Sequence, residues 1–359
     1  MEEYAITGVL SFKVNETMDA DTENNVYQEN LYDAPWSNLS LDSKPDDDDS
    51  LIRIYLSVLF SFITVGSILG NAVLISVVVV TKHLHNHQNI LVANLSTADM
   101  IVSSMVMPFS IQYFVTGVWK WGSFFCEVWI LFDVLACTAS ILTLCTIAGD
   151  RFVSISKPFY YVSKISKHLI FKFIFFIWLI SLCLASIPIA LKIDRPQNFT
   201  RPERTCDQIF NPIFSIVSSI CSFYLPLIVM CTLYFKLYRE AKLQSKRINA
   251  TVVTADDHCP SGCPNQVKRR ENKAAVTIGI IVGCFVVCWT PYFIVNIISR
   301  LPGVYISPDA YMGFTWLGYF NSAINPYLYV AFTNDIKRTI VKYFTPEEKR
   351  RKAIALRNM

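Results

Sequence analysis

A chain of 359 residues that is 53% hydrophobic and 17% charged falls below the roughly 25% charge of ordinary globular domains, which counts against a soluble fold and favours lipid. Its net charge of +4 divides into an acidic N-terminal segment and basic segments further on; this suits an anionic inner leaflet or an acidic partner and offers no argument for nucleic acid. Most of the eleven cysteines lie within apolar runs, where they serve as small packing residues and not as a disulfide-rich scaffold.

Residues 1–51 are expected to form a disordered, acidic, glycosylated extracellular tail. The first 50 residues hold 13 acidic side chains against Lys13 and Lys44, and no apolar run follows a basic start, so no cleavable signal peptide is expected. Asn15-Glu-Thr and Asn38-Leu-Ser are glycosylation sequons, and Asn198-Phe-Thr is a third in a later outer loop. Asn94-Leu-Ser and Asn249-Ala-Thr also fit the pattern, but one falls in an apolar run and the other in an inner loop. Neither should be modified.

Seven apolar runs follow within residues 52–333, near 53–80, 89–115, 123–149, 171–191, 211–235, 274–298 and 308–332. Each reaches about 20 residues or more, enough to cross a hydrocarbon core of about 30 Å. The expected fold class is therefore an all-α membrane bundle of seven transmembrane helices, numbered here as spans 1 to 7. Pro108, Pro188, Pro226, Pro291 and Pro326 sit inside these runs, as membrane helices tolerate. Around inner loop 3, about 241–267, lie Lys236, Arg239, Lys242, Lys246, Arg247, Lys268, Arg269, Arg270 and Lys273, and residues 334–359 add seven more cations from Lys337 to Lys352. These segments are expected in the cytoplasm, which puts the N-terminus outside. Lys192, Arg195, Arg201 and Arg204 between spans 4 and 5 weaken the contrast without reversing it. His83, His85 and His87, and the group His258, Cys259 and Cys263, are too sparse to assign a metal.

The third run holds Asp133 near its middle and Asp150-Arg151 at its inner end. A charge deep in a bilayer costs about 2.5 to 3.5 kcal/mol and usually marks function. On a helix Asp133 and Arg151 share one face about 27 Å apart, with Cys126 about 10 Å above Asp133. Asp133 then sits within reach of a small molecule entering from outside, while Arg151 meets the cytoplasm. A structural ion pair is the competing reading, yet the spans offer no Lys, Arg or His at comparable depth. A carboxylate awaiting a cationic ligand explains it better. In span 5, Ser218 and Ser222 are spaced i, i+4, and Ser219 and Ser222 i, i+3, so the three can share one face; taken alone, such serines mostly bond back to their own backbone. Cys126 and Cys206 sit at outer positions, where oxidation is permitted.

Asn71 in span 1, Leu95, Ala98 and Asp99 in span 2, Asp150-Arg151-Phe152 closing span 3, Trp178 in span 4, Pro226 in span 5, Cys288-Trp289-Thr290-Pro291 in span 6 and Asn325-Pro326-Tyr327-Leu328-Tyr329 in span 7 together resemble a rhodopsin-class G-protein-coupled receptor over about residues 52 to 345. Any one motif is weak; all of them in order and at proper depth are specific. Asp133, with Trp316-Leu-Gly-Tyr319-Phe-Asn-Ser in span 7, further resembles the biogenic-amine branch, and the lack of lysine in 308–332 sets opsins aside. The resemblance implies a plasma-membrane receptor, not an enzyme, with a small amine, a heterotrimeric G protein, arrestin and the bilayer as partners. It implies ligand contacts from Asp133, Val134, Cys137, Thr138, Ser218, Ser219, Ser222, Trp289, Tyr292, Phe293, Asn296, Thr315, Trp316 and Tyr319. Asp133 would pair with the protonated amine, with Tyr319 orienting the carboxylate. DVLACTASI, SFYLPLIVMC and AKLQSKRIN look like type-2 histamine receptors, but Ser218 stands where that subtype has an acidic residue. A catechol or phenolic amine such as dopamine is favoured, with histamine and serotonin as alternatives.

The same resemblance implies a bridge between Cys126 and Cys206 and a sodium pocket of Asp99, Ser140, Asn321, Ser322 and Asn325, or a water-filled polar network in its place. No other cofactor is expected. Ile141, Pro226 and Phe285 would repack on ligand binding; Arg151, paired with Asp150 and Glu271 when closed, would turn toward Tyr234 and Tyr329, the latter carried by Asn325-Pro326 in span 7. Residues 334–359 would form an amphipathic helix, Asp335 to Tyr343, and a short basic tail, with Ile336, Ile340 and Phe344 on the apolar side. Ile336 replaces a usual aromatic, the tail has no cysteine to acylate, and Phe152 replaces a usual tyrosine. An amine transporter, the remote alternative, would show inverted repeats, and none is visible.

Overall fold

The computed structural model describes residues 3–6, 10–13, 47–193, 204–206, 212–254, 263–299, 301 and 304–345, with side chains from Leu51 onward except at Ala241, 244–278, Tyr305 and Phe344. Span 1 is Asp47–Val80, span 2 His87–Thr116, span 3 Gly122–Ser156, span 4 Lys167–Leu191, span 6 Cys263–Ile298 and span 7 Pro308–Phe332. Span 5 is assembled from Pro212–Ser219, Ile220–Tyr224 and Leu225–Thr254. A short helix, Pro158–Lys164, follows span 3, and Asn334–Phe344 follows span 7. Among the described residues six helices are long and apolar enough to cross a membrane. Span 7 has the length but is less apolar, because it turns Asn321, Ser322 and Asn325 into the bundle, where all three are buried.

The starts and stops follow from local chemistry. Asn86, Ser166 and Ser307 cap spans 2, 4 and 7, each accepting from a backbone N–H three residues on. Span 2 ends at Gly117, which takes the left-handed conformation that glycine adopts without strain. Wide π turns occupy Val102–Val106 and Ile220–Tyr224, and each precedes a proline by a few residues. Proline cannot donate and its ring crowds the carbonyl four residues back, which is Ser104 for Pro108 and Ser222 for Pro226. Both carbonyls fall inside the wide turns, which relieve the clash without breaking the helix.

Span 3 packs against spans 2, 4 and 5, span 1 against spans 2 and 7, and span 6 against spans 5 and 7. The main core runs along span 3, with Ile141, Leu144 and Ile147 against Leu91, Met230 and Phe285. Trp178 donates to Asn94 Oδ1 at 2.9 Å and Asn94 to Thr143 Oγ1 at 2.8 Å, tying spans 4, 2 and 3. Facing outward are Phe62, Phe175 and Ile228, all exposed, as a lipid-facing surface requires.

Three strands form an antiparallel sheet: β1 Glu3–Ile6, β2 Leu10–Lys13 and β3 Val304–Ile306, with Leu10 opposite Ile306 and Phe12 opposite Val304. Part of the stretch read as a disordered tail is thus paired with the connection between spans 6 and 7. The sequons at Asn15, Asn38 and Asn198 lie outside the described residues, as do His258 and Cys259. In the terminal helix Ile336 is buried beside Tyr329, with Ile340 packed against the same cluster; the Phe344 side chain is outside the described residues.

Candidate functional site

Span 3 presents Ile130, Asp133, Val134, Cys137, Thr138 and Ile141 along one face at helical spacing, and these line a pocket toward the end of the bundle that carries Cys126. Ser218 and Ser222 of span 5, Trp289, Tyr292, Phe293 and Asn296 of span 6, and Thr315 and Tyr319 of span 7 complete the lining expected from sequence. The carboxylate of Asp133 is oriented at both oxygens: Tyr319 donates to Oδ2 at 3.1 Å and the Cys137 thiol to Oδ1 at 3.4 Å. Charge-assisted hydrogen bonds of this kind stabilise the ionised form and fix its direction.

Two expected contacts are elsewhere. Ser219 is buried and turned away, accepting from Asn296 Nδ2 at 3.0 Å and donating to the Ser215 carbonyl at 2.7 Å. The π turn explains this. Along an α-helix each residue advances about 100°; the wider turn advances less, so an i, i+4 pair moves toward alignment and an i, i+3 pair moves apart. Ser222 therefore shares a face with Ser218 and not with Ser219. Trp316 lies toward span 1, stacked on Phe60 at 3.9 Å between centroids and 3° between planes. The sequence reading also missed Leu184, Ala185, Pro188 and Ile189 of span 4 and Phe214 of span 5, which close the pocket's side. They are apolar residues in apolar helices, and nothing in their type separates pocket wall from core.

Below the pocket, Trp289 rests against Gly318: a Cβ there would come within 2.9 Å of two indole carbons. Phe223 stacks on Phe293 at 4.2 Å and lies 5.9 Å from Phe285, and the Pro226 carbonyl accepts from the Cys145 thiol at 3.3 Å. Ile141 and Phe285 are buried in this same cluster. Lower still, Asp99 is fully buried, accepting from Asn325 Nδ2 at 2.8 Å and Ser140 Oγ at 3.3 Å. Asn71 donates to the Ser322 carbonyl at 3.2 Å. Among the described residues Asn321 Oδ1 and the Tyr329 hydroxyl are buried without a partner. Asp99, Ser140 and Asn325 thus form one buried polar cluster that joins spans 2, 3 and 7.

At the other end of the bundle Arg151 pairs with Asp150, its Nη2 and Nε donating to Oδ2 at 2.7 and 3.2 Å. Tyr161, on the short helix after span 3, donates to Asp150 Oδ1 at 2.8 Å and lies 3.1 Å from His87 Nδ1. Burial and the Asp150 carboxylate push the Tyr161 phenol upward, so it stays a neutral donor. Neither Tyr161 nor His87 was foreseen as part of this cluster; a tyrosine in a loop carries no signal of its partner. Glu271 belongs to span 6, but its side chain lies outside the described residues. The Tyr234 hydroxyl packs where a Cβ on Gly279 would sit.

Cys126 and Cys206 form the expected disulfide, with Cα atoms 5.7 Å apart. Beside it the Trp119 N–H donates to the Arg204 carbonyl at 2.7 Å, so the described part of the loop between spans 4 and 5 is held to the start of span 3.

The sequence model of a family described as "7 transmembrane receptor (rhodopsin family)" matches residues 70–329. Similar proteins include the D(1) dopamine receptor of Carassius auratus, 33% identical over 83% of this chain and 90% of that protein. The 5-hydroxytryptamine receptor 1D of Cavia porcellus is 32% identical over 81% and 88%, and the histamine H2 receptor of Rattus norvegicus 32% identical over 83% and 81%.

Proposed function

The chain belongs to the rhodopsin family of seven-transmembrane receptors, and from that premise we propose that it is a cell-surface, G-protein-coupled receptor for a small protonated biogenic amine, a catechol or phenolic amine such as dopamine foremost. The observation that carries this reading is Asp133, aimed by Tyr319 and Cys137 into a pocket whose opposite wall presents Ser218 and Ser222. The carboxylate takes the ammonium; the two hydroxyls suit ring hydroxyls; Trp289, Tyr292 and Phe293 supply aromatic faces for the ring between them. Relatives named for dopamine support the same ligand class. Serotonin is the second reading, favoured by receptors for 5-hydroxytryptamine at comparable identity.

The disulfide end faces the outside in this reading and the Arg151 end the cytoplasm, supported by Lys157, Lys164, Lys236, Arg239, Lys337 and Arg338 at the latter. Agonist shifts a two-state balance by its differential affinity. The Trp289 and Phe285 cluster repacks, Arg151 leaves Asp150, and a G-protein helix, or arrestin in its turn, enters beside Tyr234 and Tyr329. Sodium held by Asp99, Ser140 and Asn321 would favour the closed state. The test is a panel of dopamine, serotonin, histamine and their relatives on cells expressing the receptor, reading cyclic AMP and calcium. Failure of every amine at confirmed surface expression would overturn the proposal.

A further inference from the structure

At the Arg151 end of the bundle one hydroxyl serves two neighbours. The Tyr161 oxygen lies 2.8 Å from Asp150 Oδ1 and 3.1 Å from His87 Nδ1, with the His87 and Tyr161 rings 5.7 Å apart and inclined at 66°. Burial and the Asp150 carboxylate push the phenol upward, so it keeps its proton and there is a single hydrogen to place. Given to Asp150, that hydrogen leaves the phenol oxygen free to accept from a His87 N–H; given to His87, it abandons Asp150.

The charge on one ring decides between the two arrangements. A neutral imidazole has one N–H and one lone pair, and either can sit at Nδ1 according to the tautomer. With the lone pair there, His87 competes with Asp150 for the phenol hydrogen. A protonated imidazole has no lone pair, so Nδ1 donates to the Tyr161 oxygen and the phenol hydrogen goes to Asp150. Charge strengthens both bonds. Asp150 is also the partner of Arg151, and its side chain is only 4% exposed, so what happens at His87 is felt at that pair.

At this end the titratable groups on the elements around His87 are Asp150 and Arg151 of span 3, Lys167, His168 and Lys172 of span 4, Tyr329 of span 7, Lys157, Tyr160, Tyr161 and Lys164 at the short helix, and Lys82, His83 and His85 just before span 2. Asp150 is the one carboxylate among them. His83 Nε2 faces Thr339 Oγ1 at 3.3 Å and His85 Nε2 the Val79 carbonyl at 3.1 Å, both away from Tyr161. Histidine changes charge between about pH 5 and 8, and His87 is half-buried.

We propose that His87 makes the receptor responsive to cytoplasmic pH: acid charges the ring, which holds Tyr161 on Asp150 beside Arg151 and so favours the closed state. This rests on the reading above, in which the Asp150 to Arg151 pair restrains that state. The proton is bound more tightly with Tyr161 and Asp150 in place than with the pair broken, so the closed state gains as pH falls and loses as pH rises.

The test is ligand-independent signalling of the full chain, read as cyclic AMP or calcium, in cells whose cytoplasm is taken from about pH 7.4 to about pH 6.4 by a weak-acid load at constant external pH. Acid also acts on the enzymes downstream, so each value is divided by that of His87→Gln, which keeps polar atoms at the site and takes no proton. The ratio should fall about threefold in the parent, as a charge-assisted hydrogen bond replaces a neutral one. It should stay flat in Tyr161→Phe, where no hydroxyl is left to steer, and His85→Gln should respond like the parent. Tyr161→Phe becomes the reference if His87→Gln fails to reach the surface. A ratio that is unchanged or rises with acid overturns the proposal. A parent that no amine activates refutes the receptor reading itself, and this inference falls with it.

Discussion

Asp133 is already aimed in the pocket it lines, because Tyr319 and Cys137 hold its two oxygens. Asp133→Asn keeps the shape and removes the charge, so amine affinity should fall by about 2 kcal/mol, roughly thirtyfold, with surface density preserved since an amide is cheaper to bury than an ion. Tyr319→Phe should weaken binding roughly tenfold, the worth of one hydrogen bond to a charged group; competition binding on both variants is the measurement. The serines divide. Ser218→Ala or Ser222→Ala should cost about 1 kcal/mol, and only for ligands bearing ring hydroxyls. Ser219→Ala should act alike on all ligands, because it releases Asn296 and contacts none of them. Equal losses for a catechol and its deoxygenated analogue in Ser222→Ala would refute this division. Asp133 was legible in the sequence because a carboxylate in an apolar run has few reasons to be there. The burial of Ser219 was not, since spacing rules presuppose an unbroken α-helix and the π turn changes the angle per residue.

At the level of helices and their connections, the fit between span 6 and span 7 depends on Gly318. Gly318→Ala would drive a methyl group into the Trp289 indole, and overpacking of this sort costs about 1–3 kcal/mol, to be read as a lower melting temperature in detergent. The link from the short helix Pro158–Lys164 to span 3 has a functional counterpart. Tyr161→Phe removes the donor to Asp150 Oδ1, leaving a buried carboxylate less well satisfied; ligand-independent cyclic AMP or calcium signalling should change by about fivefold, upward, if the Asp150 to Arg151 pair restrains the closed state. An unaltered basal level would mean that the pair does not restrain the closed state. Span positions were readable from apolar length alone, and even span 7, the least apolar, was marked by its Asn-Pro motif. Tertiary partners such as Tyr161 and His87, separated by 74 residues, left no trace in local pattern.

Over the whole molecule, the Cys126 to Cys206 bridge joins the loop between spans 4 and 5 to the start of span 3. Removing it with Cys126→Ser should sharply reduce surface expression, since losing a native disulfide commonly costs about 2–5 kcal/mol; surface staining against total protein measures it. The fold class was legible from composition and seven apolar runs, whereas the span 4 side of the pocket arises only when distant apolar residues are brought together. Asp99 in span 2 and Asn325 in span 7 are separated by 226 residues yet meet at 2.8 Å. Synthesis delivers them in that order, so the carboxylate is made long before its amide partner and must wait in the translocation machinery or among early spans for the last helix. A product that stops after span 6 would leave the buried Asp99 without the Asn325 donor, so it should be cleared faster than the full chain, as a pulse-chase comparison would measure.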